Sequence, residues 1–564
     1  MCAGGCGACV VLLSKYDPLL EKVDEFTISS CLTLLCSIDG CSITTSDGLG
    51  NSRVGFHAVH ERIAGFHATQ CGFCTPGMSV SMFSALLNAD KSHPPPRSGF
   101  SNLTAVEAEK AVSGNLCRCT GYRPLVDACK SFAADVDIED LGFNAFCKKG
   151  ENRDEVLRRL PCYDHTSSHV CTFPEFLKKE IKNDMSLHSR KYRWSSPVSV
   201  SELQGLLEVE NGLSVKLVAG NTSTGYYKEE KERKYERFID IRKIPEFTMV
   251  RSDEKGVELG ACVTISKAIE VLREEKNVSV LAKIATHMEK IANRFVRNTG
   301  TIGGNIMMAQ RKQFPSDLAT ILVAAQATVK IMTSSSSQEQ FTLEEFLQQP
   351  PLDAKSLLLS LEIPSWHSAK KNGSSEDSIL LFETYRAAPR PLGNALAFLN
   401  AAFSAEVTEA LDGIVVNDCQ LVFGAYGTKH AHRAKKVEEF LTGKVISDEV
   451  LMEAISLLKD EIVPDKGTSN PGYRSSLAVT FLFEFFGSLT KKNAKTTNGW
   501  LNGGCKEIGF DQNVESLKPE AMLSSAQQIV ENQEHSPVGK GITKAGACLQ
   551  ASGECSLIIF QVKM

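Results

Sequence analysis

At 564 residues, 42% apolar and 23% charged, the chain is too long for one core and has the make-up of a multidomain globular protein. A net charge of −5 with both signs mixed excludes a nucleic-acid footprint, and no run approaches the ~18 apolar residues of a membrane span. The start, Met1-Cys2-Ala3-Gly4-Gly5, lacks the basic and apolar segments of a signal peptide and is no Arg-rich transit peptide. The expected compartment is therefore the cytoplasm, where cysteines stay reduced and favour metal ligation over disulfides.

In chain order, residues 1–50 are rich in Gly and Cys with short apolar runs, which predicts loops and short strands. Residues 55–90 and 104–134 read as helical, with Thr104 and Glu107 spaced as a capping box. The Pro-rich run Ser92-His93-Pro94-Pro95-Pro96-Arg97 between them reads as a loop. Residues 136–187 are charged and irregular, the mark of a linker crossing a surface. From Tyr192 strands alternate with helices. Val215–Ala219 is an apolar strand, Ile265–Lys276 and Val278–Arg297 are helices, and Leu318–Val329 is a further apolar helix. Val329–Met332 and Leu357–Ile363 are strands, the second stopped by Pro364. Residues 367–378 read as a Ser-rich loop. A new α+β stretch then carries alternating runs at Ala395–Val407 and Ile414–Tyr426 and a helix at Tyr473–Leu489. Lys491–His535 is polar and weakly patterned, and no internal repeat is visible.

Ten of the nineteen cysteines fall within the first 119 residues. Cys71-x2-Cys74 with Cys117-x-Cys119 is a four-thiolate set, which suits zinc or an iron–sulfur cluster. Cys74-Thr75-Pro76-Gly77 and Cys119-Thr120-Gly121-Tyr122-Arg123-Pro124 each precede a predicted helix. Free N–H groups and the positive dipole end of a helix stabilise the net negative charge of cluster sulfurs, favouring iron–sulfur over zinc. Cys6-x2-Cys9 and Cys31 match three ligands of the plant-type ferredoxin spacing. The first ligand of that spacing falls on Met1, and Cys2 is one residue out of register. Gly4, Gly5, Gly7 and Ala8 are small enough for a loop wrapped tightly around a cluster. The other cysteines have no paired spacing and read as packing residues.

Further on, Leu217-Val218-Ala219-Gly220-Asn221-Thr222-Ser223-Thr224-Gly225 follows a strand, and its glycine turn can aim N–H groups at a pyrophosphate. A second glycine loop, Asn298-Thr299-Gly300-Thr301-Ile302-Gly303-Gly304-Asn305, follows a helix. Two such loops about eighty residues apart suit a bent dinucleotide held between two subdomains.

Three segments together, Gly4-Gly5-Cys6-Gly7-Ala8-Cys9, Gln70-Cys71-Gly72-Phe73-Cys74-Thr75-Pro76-Gly77 and Gly114-Asn115-Leu116-Cys117-Arg118-Cys119-Thr120-Gly121-Tyr122-Arg123-Pro124, resemble the molybdenum hydroxylases, the xanthine dehydrogenase and aldehyde oxidase family. Leu12-Leu13-Ser14-Lys15-Tyr16-Asp17-Pro18 and Glu383-Thr384-Tyr385-Arg386-Ala387-Ala388-Pro389-Arg390 look most like the plant aldehyde oxidases, which act on hormone-precursor aldehydes such as indole-3-acetaldehyde or abscisic aldehyde.

The resemblance implies a multidomain α+β chain. Its parts are a remnant β-grasp ferredoxin domain (1–50), a helical [2Fe–2S] domain (51–135), a linker (136–187), a two-subdomain FAD-binding domain (188–368), an α+β domain after it (379–490) and a linker with an unrelated tail (491–564). It assigns Cys6, Cys9 and Cys31 to a first cluster and Cys71, Cys74, Cys117 and Cys119 to a second. It places Val218 to Gly225 and Thr301 to Asn305 around the FAD phosphates and ribityl chain, Asp317 at a polar group of the cofactor, and Leu359 and Arg386 near the flavin. Without the family, Asp317 reads as a helix N-cap and Leu359 as strand core.

Family members carry several dozen residues before the first glycine–cysteine segment and a molybdopterin domain after the last linker. The expectation is thus a chain cut short at both ends, with an exposed sheet edge and an open core in the first domain. A truncated gene model, a retained intron and a pseudogene would each produce it. The family oxidises an aldehyde with water and O2 to a carboxylic acid and H2O2, as a homodimer, passing electrons from molybdenum through two clusters and FAD to O2 or NAD+. This chain is expected to be the electron-transfer half and not to oxidise aldehydes by itself. The alternatives are an NADH oxidase or diaphorase acting at the FAD side, and a non-catalytic fragment or subunit pairing with a separate molybdenum chain.

Overall fold

The structure, a computed structural model, describes residues 4–490 and 533–555. Excepted are 92–98, 138–140, 147–158, 165–171, 180–185, 189–191, 210–213, 228–234, 276–278, 335–336, 367–377, 390–394, 426–430, 537–541 and positions 19, 143, 412 and 466. The Pro-rich loop at 92–97, the Ser-rich loop at 367–377, Cys2, Cys147, Cys171 and Cys505 lie outside the described residues, as does all of 491–532.

Strands β1 (Val10–Asp17), β2 (Lys22–Ser29) and β3 (Ser42–Thr44) form an antiparallel sheet in the order β2-β1-β3. The expected open core is covered on one side, while Leu20, Leu35 and Ile43 of the same unit stay exposed. Val10 and Leu12 of β1 join Leu49, Val80, Phe83 and Phe295 in one buried apolar cluster, so two other parts of the chain cover the sheet.

Helices α1 (Ser46–Leu49), α2 (Ala58–Gly65), α3 (Thr75–Asp90), α4 (Ala105–Ala111) and α5 (Arg123–Lys130) make the second unit. Pro76 in the first turn starts α3, where its missing N–H costs nothing. The Thr104–Glu107 capping box starts α4 as predicted. The core contains Val59, Ile63, Met78, Leu86, Leu125 and Phe132, and it also takes in Leu141, Leu160 and Tyr163. The described parts of the predicted linker are therefore partly built into this unit. Arg62 fixes them: it is buried, lies 3.9 Å from the Phe132 ring centroid and donates to the carbonyls of Pro161, Ser131 and Gly99.

The third unit has two sheets. β4 (Ser186–His188), β5 (Arg193–Ser195), β6 (Val215–Val218) and β7 (Arg237–Asp240) run in the order β4-β5-β7-β6. β8 (Val250–Asp253), β9 (Gly256–Gly260), β10 (Thr328–Met332), β11 (Gln338–Thr342) and β12 (Leu357–Pro364) run β11-β10-β12-β9-β8. Helices α6 (Val200–Val209), α7 (Ile265–Glu274), α8 (Ser279–Met288), α9 (Arg294–Arg297), α10 (Ile302–Lys312) and α11 (Asp317–Ala324) accompany them. The single helix read at Val278–Arg297 is broken after Met288, where Ala292 takes φ +48°. The helix read to Val329 stops at Ala324, and Gln326 at φ +57° turns the chain into β10.

β13 (Ser378–Ala387), β14 (Leu399–Ala410), β15 (Gly413–Gly424) and β16 (His432–Arg433) form an antiparallel sheet in sequence order. It carries α12 (Lys435–Leu441), α13 (Asp448–Glu461) and α14 (Pro471–Thr490). Phe382, Ala402 and Val422 of this sheet lie in the same apolar cluster as Leu318 and Ile321 of α11, so the third and fourth units share a core. The last helix, α15 (Ala547–Ser552), returns to the helical unit, where Ala551 is fully buried among α2 and α3 residues. Among the described residues no helix is long and apolar enough to cross a membrane.

Candidate cofactor sites

The four cysteines of the helical unit meet as two pairs. The Cys71 and Cys119 thiols hydrogen-bond each other on the exposed side, and Cys74 and Cys117 do so on the buried side. Among the described residues no three His, Cys, Asp or Glu side chains converge on a point fit for a single metal ion. Two thiol pairs fit a two-iron cluster, which needs two thiolates on each iron, better than a zinc site with four ligands around one ion. Burial pushes Cys74 up to about 12, and neighbouring Cys117 and Cys71 add to it. Cys117 is also buried, but the Thr120 hydroxyl at 3.1 Å and the Thr120 N–H at 3.5 Å outweigh burial and hold its thiol below the ordinary value. Metal binding removes such shared protons, because the thiolate is the ligand.

Local structure explains the spacing. Cys74 is the N-cap of α3, as expected, whereas α5 starts only at Arg123, and the backbone donor to sulfur comes from Thr120. Tyr122, at φ +71°, folds its hydroxyl back to accept from the Cys117 N–H at 2.9 Å.

In the first unit Cys9 and Cys31 form a third thiol pair, each 3.5 Å from the Ser29 hydroxyl. The Cys31 thiol pulls Cys9 down to about 5 against the effect of burial, and Cys9 pushes Cys31 up in return. Cys6 lies on the loop that leads into Cys9, and its carbonyl accepts from the Leu116 N–H at 2.8 Å, one residue before Cys117. The Asn115 amide donates to the Gly7 carbonyl at 3.0 Å. Gly77 in the first turn of α3 lies so close that a Cβ there would fall 2.0 Å from the Gly7 carbonyl oxygen. The two cysteine loops are thus in backbone contact. Cys129, Cys262 and Cys419 are buried, as expected of packing residues, while Cys162 and Cys555 are exposed.

The two glycine loops also meet. A Cβ on Gly220 would fall 2.0 Å from the Thr299 carbonyl oxygen. Beside them opens a cleft with about 1220 Å³ of space, part of it open to solvent. Of the predicted residues Ala219, Gly220, Asn221, Thr222, Ser223, Gly225, Thr301, Gly304, Asn305, Asp317 and Arg386 line it. Val218, Thr224, Ile302 and Gly303 lie behind this lining and are buried. Leu359 lies in the buried core of β12, outside the lining, and its carbonyl accepts from Ala261 at 2.8 Å.

The two loops offer different chemistry. Asn221 at φ +55° is followed by a short 3₁₀ turn, Thr222–Gly225, and the Thr222 and Ser223 N–H groups at its start have no partner within the turn. Successive N–H groups in such a bend make an anion nest. The second segment, expected as a loop, is the first turn of α10, capped by the Thr301 hydroxyl accepting from Gly304. Its N–H groups are already engaged: Ile302 donates to Val263, and Gly303 to Ala261. Thr301 and Asn305 line the cleft, with the Thr301 hydroxyl accepting from Gly304 and the Asn305 amide oxygen accepting from Ser316 Oγ. This set fits a dinucleotide whose pyrophosphate lies on the first loop.

Asp317 is not the N-cap of α11; Ser316 is. The buried Asp317 carboxylate accepts from Arg386 Nε at 3.1 Å and Asn400 Nδ2 at 3.0 Å, and lies 3.3 Å from His287 Nε2. Burial pushes this carboxyl up, but His287, Arg386 and Asn400 outweigh it and hold it below the ordinary carboxylate value. Arg386 also donates to Ala395 O at 2.6 Å.

Sequence reasoning missed Leu32, Ile291, Ala292, Val296 and Phe314, which line the cleft, and Asn400 and His287, which hold Asp317. Leu32 could have been suspected from its place beside Cys31; the others carry no local signal.

Residues 190–366 match the FAD binding domain in molybdopterin dehydrogenase, 383–489 the CO dehydrogenase flavoprotein C-terminal domain, and 45–130 a [2Fe-2S] binding domain. The indole-3-acetaldehyde oxidase of Arabidopsis thaliana is 60% identical over 560 residues, which take in 98% of this chain and 40% of that protein. The abscisic-aldehyde oxidase of the same plant is 53% identical over 561 residues, with 98% and 41% covered. An indole-3-acetaldehyde oxidase of Zea mays is 52% identical over 568 residues, with 98% and 40% covered. The chain thus spans about 40% of the length of these relatives. Its three matched domains and this identity along nearly its whole length place the chain in the molybdenum hydroxylase family, among those of plant aldehyde oxidase type.

Proposed function

We propose that this chain is the electron-transfer half of an aldehyde-oxidising molybdoenzyme, taking electrons that originate at a molybdenum centre and releasing them at FAD to O2 or NAD+. The observation that carries the reading is continuity. The Cys117 loop touches the Cys6 loop through Leu116 N–H and Cys6 O at 2.8 Å. The Cys31 turn touches the FAD cleft through Leu32 O and Asn221 Nδ2, also at 2.8 Å. When bound, the iron–sulfur clusters exchange single electrons and the flavin pairs them for a two-electron acceptor.

The chain's own residues then have distinct tasks. Cys71 with Cys119 and Cys74 with Cys117 hold one [2Fe–2S] cluster; Cys6, Cys9 and Cys31 supply three thiolates to the other. The Asn221–Ser223 turn receives the pyrophosphate. Leu32 and Val296 keep water from the seam between flavin and first cluster. Arg386, its charge balanced by Asp317, presents a fixed guanidinium to the cleft. The same proposal takes the aldehyde class from the names of the relatives, indole-3-acetaldehyde or abscisic aldehyde, and includes a homodimeric assembly and a cytoplasmic location.

The test is the cofactor content and reduction chemistry of the purified chain. Bound iron, sulfide and FAD, bleached by dithionite and recoloured by O2, without aldehyde turnover, are the expected result. A colourless chain sinks the reading, aldehyde turnover by the chain alone sinks its division of labour, and bleaching of the FAD by NADH selects NAD+ over O2 as the acceptor.

A further inference from the structure

Residues 544–554 return from the far end of the chain to the Cys71 loop. Gln550, 8% exposed, accepts from Thr69 Oγ1 at 3.1 Å and from Lys544 Nζ at 2.9 Å, and donates through Nε2 to the carbonyls of Gln70 and Cys71 at 3.4 Å each. Lys544 Nζ also donates to the Gln70 carbonyl. Gly72, at φ +82°, presents its bare Cα to the Gln550 side chain, and a Cβ there would fall 2.7 Å from it. The Gln550 amide therefore occupies the space above the Cys71-Gly72-Phe73-Cys74 loop that any side chain at position 72 would need. The segment is held firmly. The Ala551 carbonyl accepts from Ser46 Oγ at 2.7 Å and Ser79 Oγ at 3.1 Å, and the Glu554 carboxylate accepts from Ser52 N at 3.0 Å and Ser52 Oγ at 2.6 Å.

We propose that Gln550 and Lys544 are positioning residues for the cluster held by Cys71, Cys74, Cys117 and Cys119, fixing its outer loop and raising its reduction potential. The proposal rests on the reading of those thiols as a [2Fe–2S] ligand set. Reduction adds negative charge to a cluster already negative. An amide N–H pair aimed at the loop and an ammonium beside it favour the reduced form, and cluster potentials respond to net charge, hydrogen bonding and solvent exposure. α15 is by this account part of the iron–sulfur domain, although some 480 residues of sequence separate the two.

The experiment is a redox titration followed by electron paramagnetic resonance on the full chain with its cofactors, comparing wild type, Gln550→Ala and Lys544→Met. Signals are assigned to the two clusters with Cys9→Ser and Cys74→Ser controls. The expected result is a lower midpoint for the Cys74-dependent cluster in both variants, smaller for the exposed Lys544, with full iron content and unmoved midpoints for the other cluster and FAD. Full iron with an unmoved midpoint in both variants overturns the proposal, as does an equal shift of both clusters. A wild-type chain whose Cys74-dependent signal is absent overturns the ligand reading instead, so the two failures are distinguishable.

Discussion

The Asn221 amide donates to the Leu32 carbonyl at 2.8 Å, joining the flavin-side glycine loop to the residue that follows Cys31. The bond crosses 189 residues of sequence. Leu32 also lines the cleft, so one bond sets both the floor of the dinucleotide site and the back of the first cysteine loop. Asn298 repeats the arrangement nearby, donating to Thr27 of β2 at 2.8 Å.

Replacing Asn221 with Ala removes this bond and leaves the Leu32 carbonyl without it in a half-buried seam. That costs about 1–3 kcal/mol. FAD affinity is expected to fall roughly tenfold or more, since about 1.4 kcal/mol is a factor of ten. Fluorescence titration of the FAD-free chain measures it; unchanged affinity contradicts the assigned role of the seam.

Gly77→Ala tests the contact between the cysteine loops. Its Cβ would meet the Gly7 carbonyl oxygen at 2.0 Å, and backbone cannot yield as a flexible side chain can. The Cys6–Cys9 loop is expected to be displaced, with loss of the Cys9-dependent spectroscopic signal while the Cys74-dependent one persists. Retention of both signals at wild-type strength would contradict this.

Asp317→Asn keeps the size of the side chain but leaves the nearly buried Arg386 without its carboxylate. Breaking a buried pair from one side costs on the order of 3–5 kcal/mol. A clear fall in melting temperature is expected, read by circular dichroism. Because the Asp317 carboxyl is held low in the folded state, its contribution is complete above the ordinary carboxylate pKa and is lost as pH falls through the lowered one.

The buried His60 and the partly buried His57 give a second acid response in a different window. Burial holds His57 down to about 4, and burial with neighbouring His57 holds His60 down to about 3, against an ordinary value of 6.5. Below pH 6.5 the unfolded chain takes up protons that the folded one refuses, so stability falls as pH drops from 6.5 toward 4. The slope is about 1.4 kcal/mol per pH unit for each histidine fully titrating in the unfolded chain. His60→Gln is expected to flatten the fall of melting temperature between pH 6.5 and 4; an unchanged slope rules His60 out as a source.

Much of the fold was legible because short-range physics writes it. Val215–Val218, Leu357–Pro364 and Ile265–Glu274 appear where apolar periodicity placed them, and the Thr104 capping box forms as spaced. The errors sit where long-range packing overrides local pattern. Ala292 breaks an apolar helix run, and the leading N–H groups of α10 go to the Val263 and Ala261 carbonyls, not to a ligand. Asp317, expected at the cofactor and read as a cap only without the family, lines the cleft and is also the centre of a buried charge network drawn from α8, β13 and β14, which no local pattern announced.

By itself the sequence determined the ligand chemistry: thiols at fixed spacing and glycines at strand ends, which local geometry alone constrains. Only the tertiary structure decided which cysteines pair, that the cysteine loops and the flavin cleft form one connected seam, and that residue 550 belongs to the Cys71 loop. Contacts between Asn221 and Leu32 or Gln550 and Gly72 arise where separately specified elements are packed to close density. No periodicity or spacing along the chain encodes which distant backbone oxygen will lie opposite a given amide.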